Sequence, residues 1–171
     1  MTDLVQENSP AFDLSSFDLT SFSEPRVSSL PVGEKYLAFS LDGDFYAIAS
    51  KNVIEAAPSL PVAHLPNAPE WLIGIANLRG EVISVVNLPA ILGNPPQKPA
   101  PKQKFIVLRS QIFDSGVAFA ADKLNELVSL PDERIQFGED RNPTYIFGTA
   151  VHESKTLHLI DTEKLLSALA V

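Results

Sequence analysis

The sequence predicts an all-β fold made of two small barrels, and three observations carry that prediction. First, Trp71 to Leu92 (WLIGIANLRGEVISVVNLPAIL) reads as a β-hairpin. Ile73, Ile75 and Leu78 precede an Arg79-Gly80 turn, and Val82, Ile83, Val85 and Val86 follow it in a β-branched run suited to a pleated surface. Second, the hairpin recurs without gaps at an offset of 74 residues, where Tyr145-Ile-Phe-Gly-Thr-Ala overlays Trp71-Leu-Ile-Gly-Ile-Ala and Leu157 to Ile160 replaces Ile83 to Val86. Third, turn signals fall at short, regular intervals, giving each copy about five short strands. Closing each sheet into a barrel removes the edges that invite aggregation.

In chain order, residues 1–33 differ from the rest. They hold Asp3, Glu7, Asp13, Asp18 and Glu24 against Arg26 alone, which is half of the net charge of −8 in a fifth of the length, and they are dense in serine. Such a composition buries too little apolar surface to offset chain entropy, so a flexible tail is expected. Within it, Phe12-Asp-Leu-Ser-Ser and Phe17-Asp-Leu-Thr-Ser lead to Phe22, an aromatic at every fifth position that fits neither helix nor strand. The repeat reads as a low-complexity linker or, alternatively, as a docking motif carried by Phe12, Phe17 and Phe22 that orders on a partner.

Folded sequence is expected from Glu34. Tyr36 to Leu41 and Phe45 to Ile48 flank Asp42-Gly43-Asp44, a second hairpin signal. A helical turn follows at Ser50, then a strand at Val53-Ile-Glu-Ala-Ala57. Pro58 to Pro69 is expected to be a loop, because proline brings no ladder donor. In the central hairpin Gly80 supplies the positive φ of a tight turn and lifts Arg79 into solvent. Asn87 caps a short helix, Leu88 to Leu92, with Pro89 in its first turn and Gly93 at its end. Asn94 to Lys102, with four prolines in nine residues, is an extended connector.

The second half repeats the first. Lys104-Phe-Ile-Val-Leu-Arg corresponds to Lys35-Tyr-Leu-Ala-Phe-Ser, and Asn125 to Pro131 echoes Ile54 to Pro61. His152 to Lys155 stands at the position of the Arg79 turn, and Asp161 replaces Asn87 as the cap before Leu165, Leu166 and Leu169 at helical spacing. The folded region of 34–171 is thus expected to hold two subdomains, roughly 34–93 and 103–171.

Composition narrows the chemistry. There is no cysteine, so no disulfide, thiolate metal site or thiol nucleophile is available. The apolar runs are too short for a membrane span and the N-terminus lacks the pattern of a secretory signal, so the expected address is the cytoplasm. Scattered cations on an acidic chain argue against nucleic acid, and a small-barrel oligonucleotide-binding module is only a remote alternative, since it needs exposed aromatics interleaved with cations. His152 and His158 lie six residues apart around a turn, a spacing without metal-ligand logic, and no serine sits on a nucleophile elbow. No catalytic residue, metal or cofactor is predicted.

The order of motifs is more specific than any of them alone. A hairpin, Val53-Ile-Glu55, the loop Leu65-Pro-Asn-Ala-Pro69, Gly74-Ile-Ala-Asn-Leu-Arg-Gly80 and a closing Leu159-Ile-Asp-Thr-Glu-Lys-Leu-Leu166 together resemble the CheW family from about Glu34 to the C-terminus. The resemblance implies two intertwined five-stranded SH3-like barrels with exchanged elements and short helices, one of them C-terminal. It implies a non-enzymatic adaptor coupling chemoreceptors to a CheA-type histidine kinase, with the kinase regulatory domain and the receptor's cytoplasmic tip as partners. Such adaptors are recruited to membrane-associated arrays and serve chemotaxis, twitching motility or phototaxis. A competitor that binds only kinase or only receptor is the alternative.

Carried over by position, receptor contact falls on Val53, Glu55 and Arg79, and kinase contact on Gly74, Asn77, Leu78, Arg79 and Gly80. An arginine at a rigid hairpin tip suits an anchor, since its planar fork engages a carboxylate at low ordering cost. Alternation along the strand puts either Val53 and Glu55 or Ile54 and Ala56 outward. Charge reversal at Arg79 is expected to leave the fold intact. Ser84 and Asn87 stand where the family commonly has Pro and Asp, so a contact needing a carboxylate at 87 is lost while the cap survives.

Overall fold

The computed structural model describes residues 33–113, 115–138 and 145–170, together with the backbone of Phe12–Asp13. The strands are β1 (Phe12–Asp13), β2 (Glu34–Leu41), β3 (Asp44–Ala49), β4 (Val53–Ala57), β5 (Val62–Ala63), β6 (Leu72–Leu78), β7 (Glu81–Val86), β8 (Lys104–Leu108), β9 (Val117–Ala121), β10 (Lys123–Leu130), β11 (Ile135–Phe137), β12 (Ile146–His152) and β13 (Lys155–Ile160). Helix α1 (Leu88–Ile91) follows β7 and α2 (Thr162–Leu169) follows β13; single 3-10 turns lie at Ser50–Asn52 and Asp132–Arg134.

Three hairpins close through two-residue turns in which both central residues have positive φ. These are Asp42-Gly43 (55° and 86°), Arg79-Gly80 (53° and 89°) and Glu153-Ser154 (46° and 64°). This is the type I′ geometry, whose twist matches that of the strands it joins. The third turn achieves it without glycine.

The two sheets interlock. One runs β1-β4-β8-β9-β7-β6-β5 and the other β10-β2-β3-β13-β12-β11. The first barrel therefore takes β4 to β7 from the first half of the chain and borrows hairpin β8–β9 from the second. The second barrel takes β10 to β13 and borrows hairpin β2–β3 from the first. Each borrowed hairpin is inserted between its hosts, antiparallel to β4 or β10 on one side and parallel to β7 or β13 on the other.

Exchange explains why the borrowed strands are apolar along their length. Tyr36 and Ala38 of β2 line the interior of the second barrel, whereas Leu37, Phe39 and Leu41 face a core shared between the barrels. Likewise Phe105 and Val107 of β8 fill the first barrel while Ile106 and Leu108 enter the shared core. A strand buried on both faces has no polar side to alternate with. Helix α2 adds Leu165, Leu166 and Leu169 to the same shared core, as their spacing predicts. At the crossing between the barrels, the Asp122 carboxylate accepts from Asp42 N at 2.8 Å and from Gln103 Nε2 at 2.6 Å.

Two details differ from the sequence reading. The proline-rich stretch from Pro58 to Pro69 contains β5, which pairs Val62 and Ala63 with Ala76 and Ile75 in the two-residue gap between Pro61 and His64. Proline bars only its own N–H from a ladder, so a gap of this size is enough. The short helix stops at Ile91, with Leu92 as its C-cap.

Candidate partner-binding surface

The candidate residues gather on β4 and on the β6–β7 hairpin of the first barrel. Along β4 the pairing with β8 slips, so that Val53 opposes Leu108 and Glu55 opposes Val107, leaving Ile54 as the extra residue of a β-bulge. Because of the bulge neither alternative of strict alternation holds: Ile54 faces solvent at 42% exposure, while Val53, Glu55 and Ala56 are all buried. Val53 packs in the shared core, and Glu55 is held inward by a specific partner.

That partner is Arg79. Its Nη2 lies 3.1 Å from Glu55 Oε2, with the Arg79 side chain 58% exposed and that of Glu55 only 7%. The turn aims the guanidinium: Asn77 Oδ1 accepts from Gly80 N at 3.0 Å, and Gly80 takes the second positive-φ position over open space. A guanidinium has five donors in a fixed fork, so one used inward on Glu55 leaves capacity to present outward. The pair also revises the expectation that charge reversal at Arg79 would spare the fold, because Arg79→Glu would set a second carboxylate against a buried one.

Of the remaining positions, Asn77 is exposed and Leu78 is half-buried against the interior of the first barrel. Gly74 is buried, and a Cβ there would run into the carbonyl oxygen of Ala63 on β5. Its role is thus to let β5 cross closely, which shapes the hairpin without touching solvent. Gly148, its counterpart in the repeat, does the same for β11: an added Cβ would lie 2.8 Å from Gln136 O. The arrangement has a geometric echo too, since His152 Nε2 at the β12–β13 tip lies 3.3 Å from Glu126 Oε1 on β10.

Both caps form as the sequence predicts. Asn87 Oδ1 accepts from Ala90 N at 3.3 Å, and Asp161 Oδ1 from Lys164 N at 3.0 Å. Asn87 also ties down the proline connector through its Nδ2, which donates to Gln97 O at 2.8 Å. The sequence carries no signal of this second contact, since nothing local links 87 to 97.

Elsewhere, a cleft of about 220 Å³ opens where Asn52, Arg109, Ile112, Thr162 and Leu166 meet. Among the described residues, Glu126, His152 and Glu153 are the group that could offer a metal three ligand atoms, all within 4.8 Å of one another, and both glutamates are exposed. Phe17 and Phe22 lie outside the described residues, and of Phe12 only the backbone is described. No described helix is long and apolar enough to cross a membrane.

The fold and this surface define a class, the interlocked pair of small barrels with exchanged hairpins and a basic hairpin tip. The CheW-like domain model matches residues 35–170, and the chain belongs to that family. It is 27% identical over 146 residues to a probable chemotaxis protein CheW of Rhizobium etli, covering 82% of this chain and 93% of that protein. The chemotaxis protein CheW of Klebsiella aerogenes is 26% identical over 147 residues, covering 84% and 87%. Among solved structures, the scaffolding protein TtCheW from Thermoanaerobacter tengcongensis superposes with a TM-score of 0.70 at 20% identity, over 81% of this chain and 96% of that one.

Proposed function

We infer that the chain is a non-enzymatic cytoplasmic adaptor that couples chemoreceptors to a CheA-type histidine kinase at membrane-associated arrays, in chemotaxis or a related motility pathway. The observation that carries this reading is the Arg79–Glu55 pair: a guanidinium presented at a rigid turn and anchored to the strand beside it. The kinase's regulatory domain would engage the β6–β7 tip through Asn77, Leu78, Arg79 and Gly80. The receptor's cytoplasmic tip would engage the neighbouring strand through its Val53 to Glu55 segment, with Ile54 as the exposed apolar contact. Because one ion pair joins the two faces, a shift at one is felt at the other, and a coupling of about 1–3 kcal/mol suffices for an allosteric relay. Relatives named as chemotaxis and scaffolding proteins support the reading.

The test is a pull-down from soluble extract of the protein's own source, using wild type and Arg79→Ala, with bound proteins identified by mass spectrometry. Wild type should recover a CheA-type kinase together with receptors, and Arg79→Ala should lose kinase while circular dichroism shows it folded. Recovery of neither kinase nor receptor by wild type would overturn the reading.

A further inference from the structure

The two sheets end on equivalent strands that are built differently. β10 ends the second sheet; it is eight residues long, bulged, and carries Lys123, Asn125, Glu126 and Ser129. Charges of this kind blunt an edge against pairing, whereas a bulge is common to both strands, since β4 carries one at Ile54. β4 is only Val-Ile-Glu-Ala-Ala, and its single charge is turned inward to Arg79. Its outer edge is therefore an open template, and the chain's own β1 occupies it, antiparallel, with Phe12 opposite Ala56 and Asp13 opposite Glu55. No described strand lies beyond β10.

We propose that the outer edge of β4 is a strand-docking site whose resident occupant is Phe12–Asp13, from a Phe-Asp-Leu tripeptide of the tail, and that this occupant competes with the receptor for β4. The competition rests on the functional reading above; the docking does not. In strand addition the main-chain hydrogen bonds supply affinity and the register supplies selectivity. Two paired residues make a contact far shorter than a strand that is stable by itself, which disfavours tight closure. What holds the segment in place is its tether, which gives it an effective concentration on the order of millimolar. The same tripeptide recurs as Phe17-Asp18-Leu19, so the edge has two candidate occupants of identical sequence. A weak, tethered, duplicated strand covers a sticky edge in the free protein and yields it to a stronger ligand.

The experiment uses the full-length chain carrying Asp13→Pro and Asp18→Pro together, which denies both copies strand geometry, beside Ser28→Pro as a control for proline in the tail. Hydrogen exchange of the peptide spanning residues 53–57 should be several-fold faster in the double variant and unchanged in the control. Equal exchange in all three would overturn the docking site. The purified cytoplasmic tip of a chemoreceptor from the same source should then bind the double variant a few-fold more tightly than wild type. Faster exchange with unchanged receptor affinity would overturn the competition and leave the docking site standing. Failure of every variant to bind the tip would count against the functional reading, and exchange alone would still decide the docking.

Discussion

Removing the guanidinium at Arg79 should cost stability, and neutralising Glu55 should return most of it. Glu55 is 7% exposed and its partner 58% exposed, at 3.1 Å. Breaking a fully buried pair costs about 3–5 kcal/mol, whereas an exposed pair is worth roughly 0–1 kcal/mol. Solvent reaches one end of this pair, so Arg79→Ala should cost about 1–2 kcal/mol, most of it the desolvation of an orphaned carboxylate. For a chain of this size that corresponds to a fall in Tm of roughly 3–6 °C. Adding Glu55→Gln to Arg79→Ala should recover most of the loss, since an amide is far less costly to bury unpaired than a charge. Arg79→Glu should fall further than Arg79→Ala. Urea denaturation at neutral pH of wild type, these three variants and Glu55→Gln alone measures all of this. Additive losses in the double variant would refute the reasoning, because they would mean that Glu55 was never stabilised by Arg79.

Three further outcomes are expected. Gly74→Ala and Gly148→Ala should each destabilise by at least about 2 kcal/mol in the same denaturation assay, because the new Cβ meets the backbone of β5 or β11 and backbone cannot step aside. Ser154→Gly should stabilise by about 0.5–1 kcal/mol, since Ser154 holds φ of 64° in a type I′ turn and glycine adopts that conformation freely. Burial raises the Tyr46 hydroxyl above its ordinary pKa of 10.0, with Asp44 and Asp42 adding to the effect, and burial does the same for Tyr36 beside Glu34 and Asp132. The folded state thus holds these protons more tightly than the unfolded chain. Their contribution is complete below about pH 10 and is lost as pH rises through the folded values. Denaturation midpoints at about pH 9 and 11 should therefore differ less in the Tyr36→Phe, Tyr46→Phe double variant than in wild type.

How much of this was legible in the residues depends on the range of the contact. Turns and caps are local, so Asp42-Gly43, Arg79-Gly80, Asn87 and Asp161 could be read directly, and the 74-residue offset carried the reading from one half to the other. Period-two reasoning failed at β4 because a bulge shifts the phase by one residue, and nothing in Val-Ile-Glu-Ala-Ala marks where the extra residue sits. The same blindness hid β5 and β11, which exist only because a glycine 11 or 12 residues downstream lets them approach. β9, Val-Ala-Phe-Ala-Ala, is apolar on both faces and offers no alternation to detect. At the site, the identity of Arg79 was visible, but its ion pair was not. That contact depends on the slip in β4 and on the turn together.

The exchange of hairpins has a consequence for synthesis. The β2–β3 hairpin leaves the ribosome long before the strand that it pairs with, since Phe45 pairs with Leu157 and Ile48 with Ile160. Its outer neighbour is also late, since Leu37 waits for Leu127. Through most of translation, Leu37, Phe39 and Ile48 are therefore exposed on a two-stranded ribbon with both edges open, and a ribbon of that kind is marginal in water.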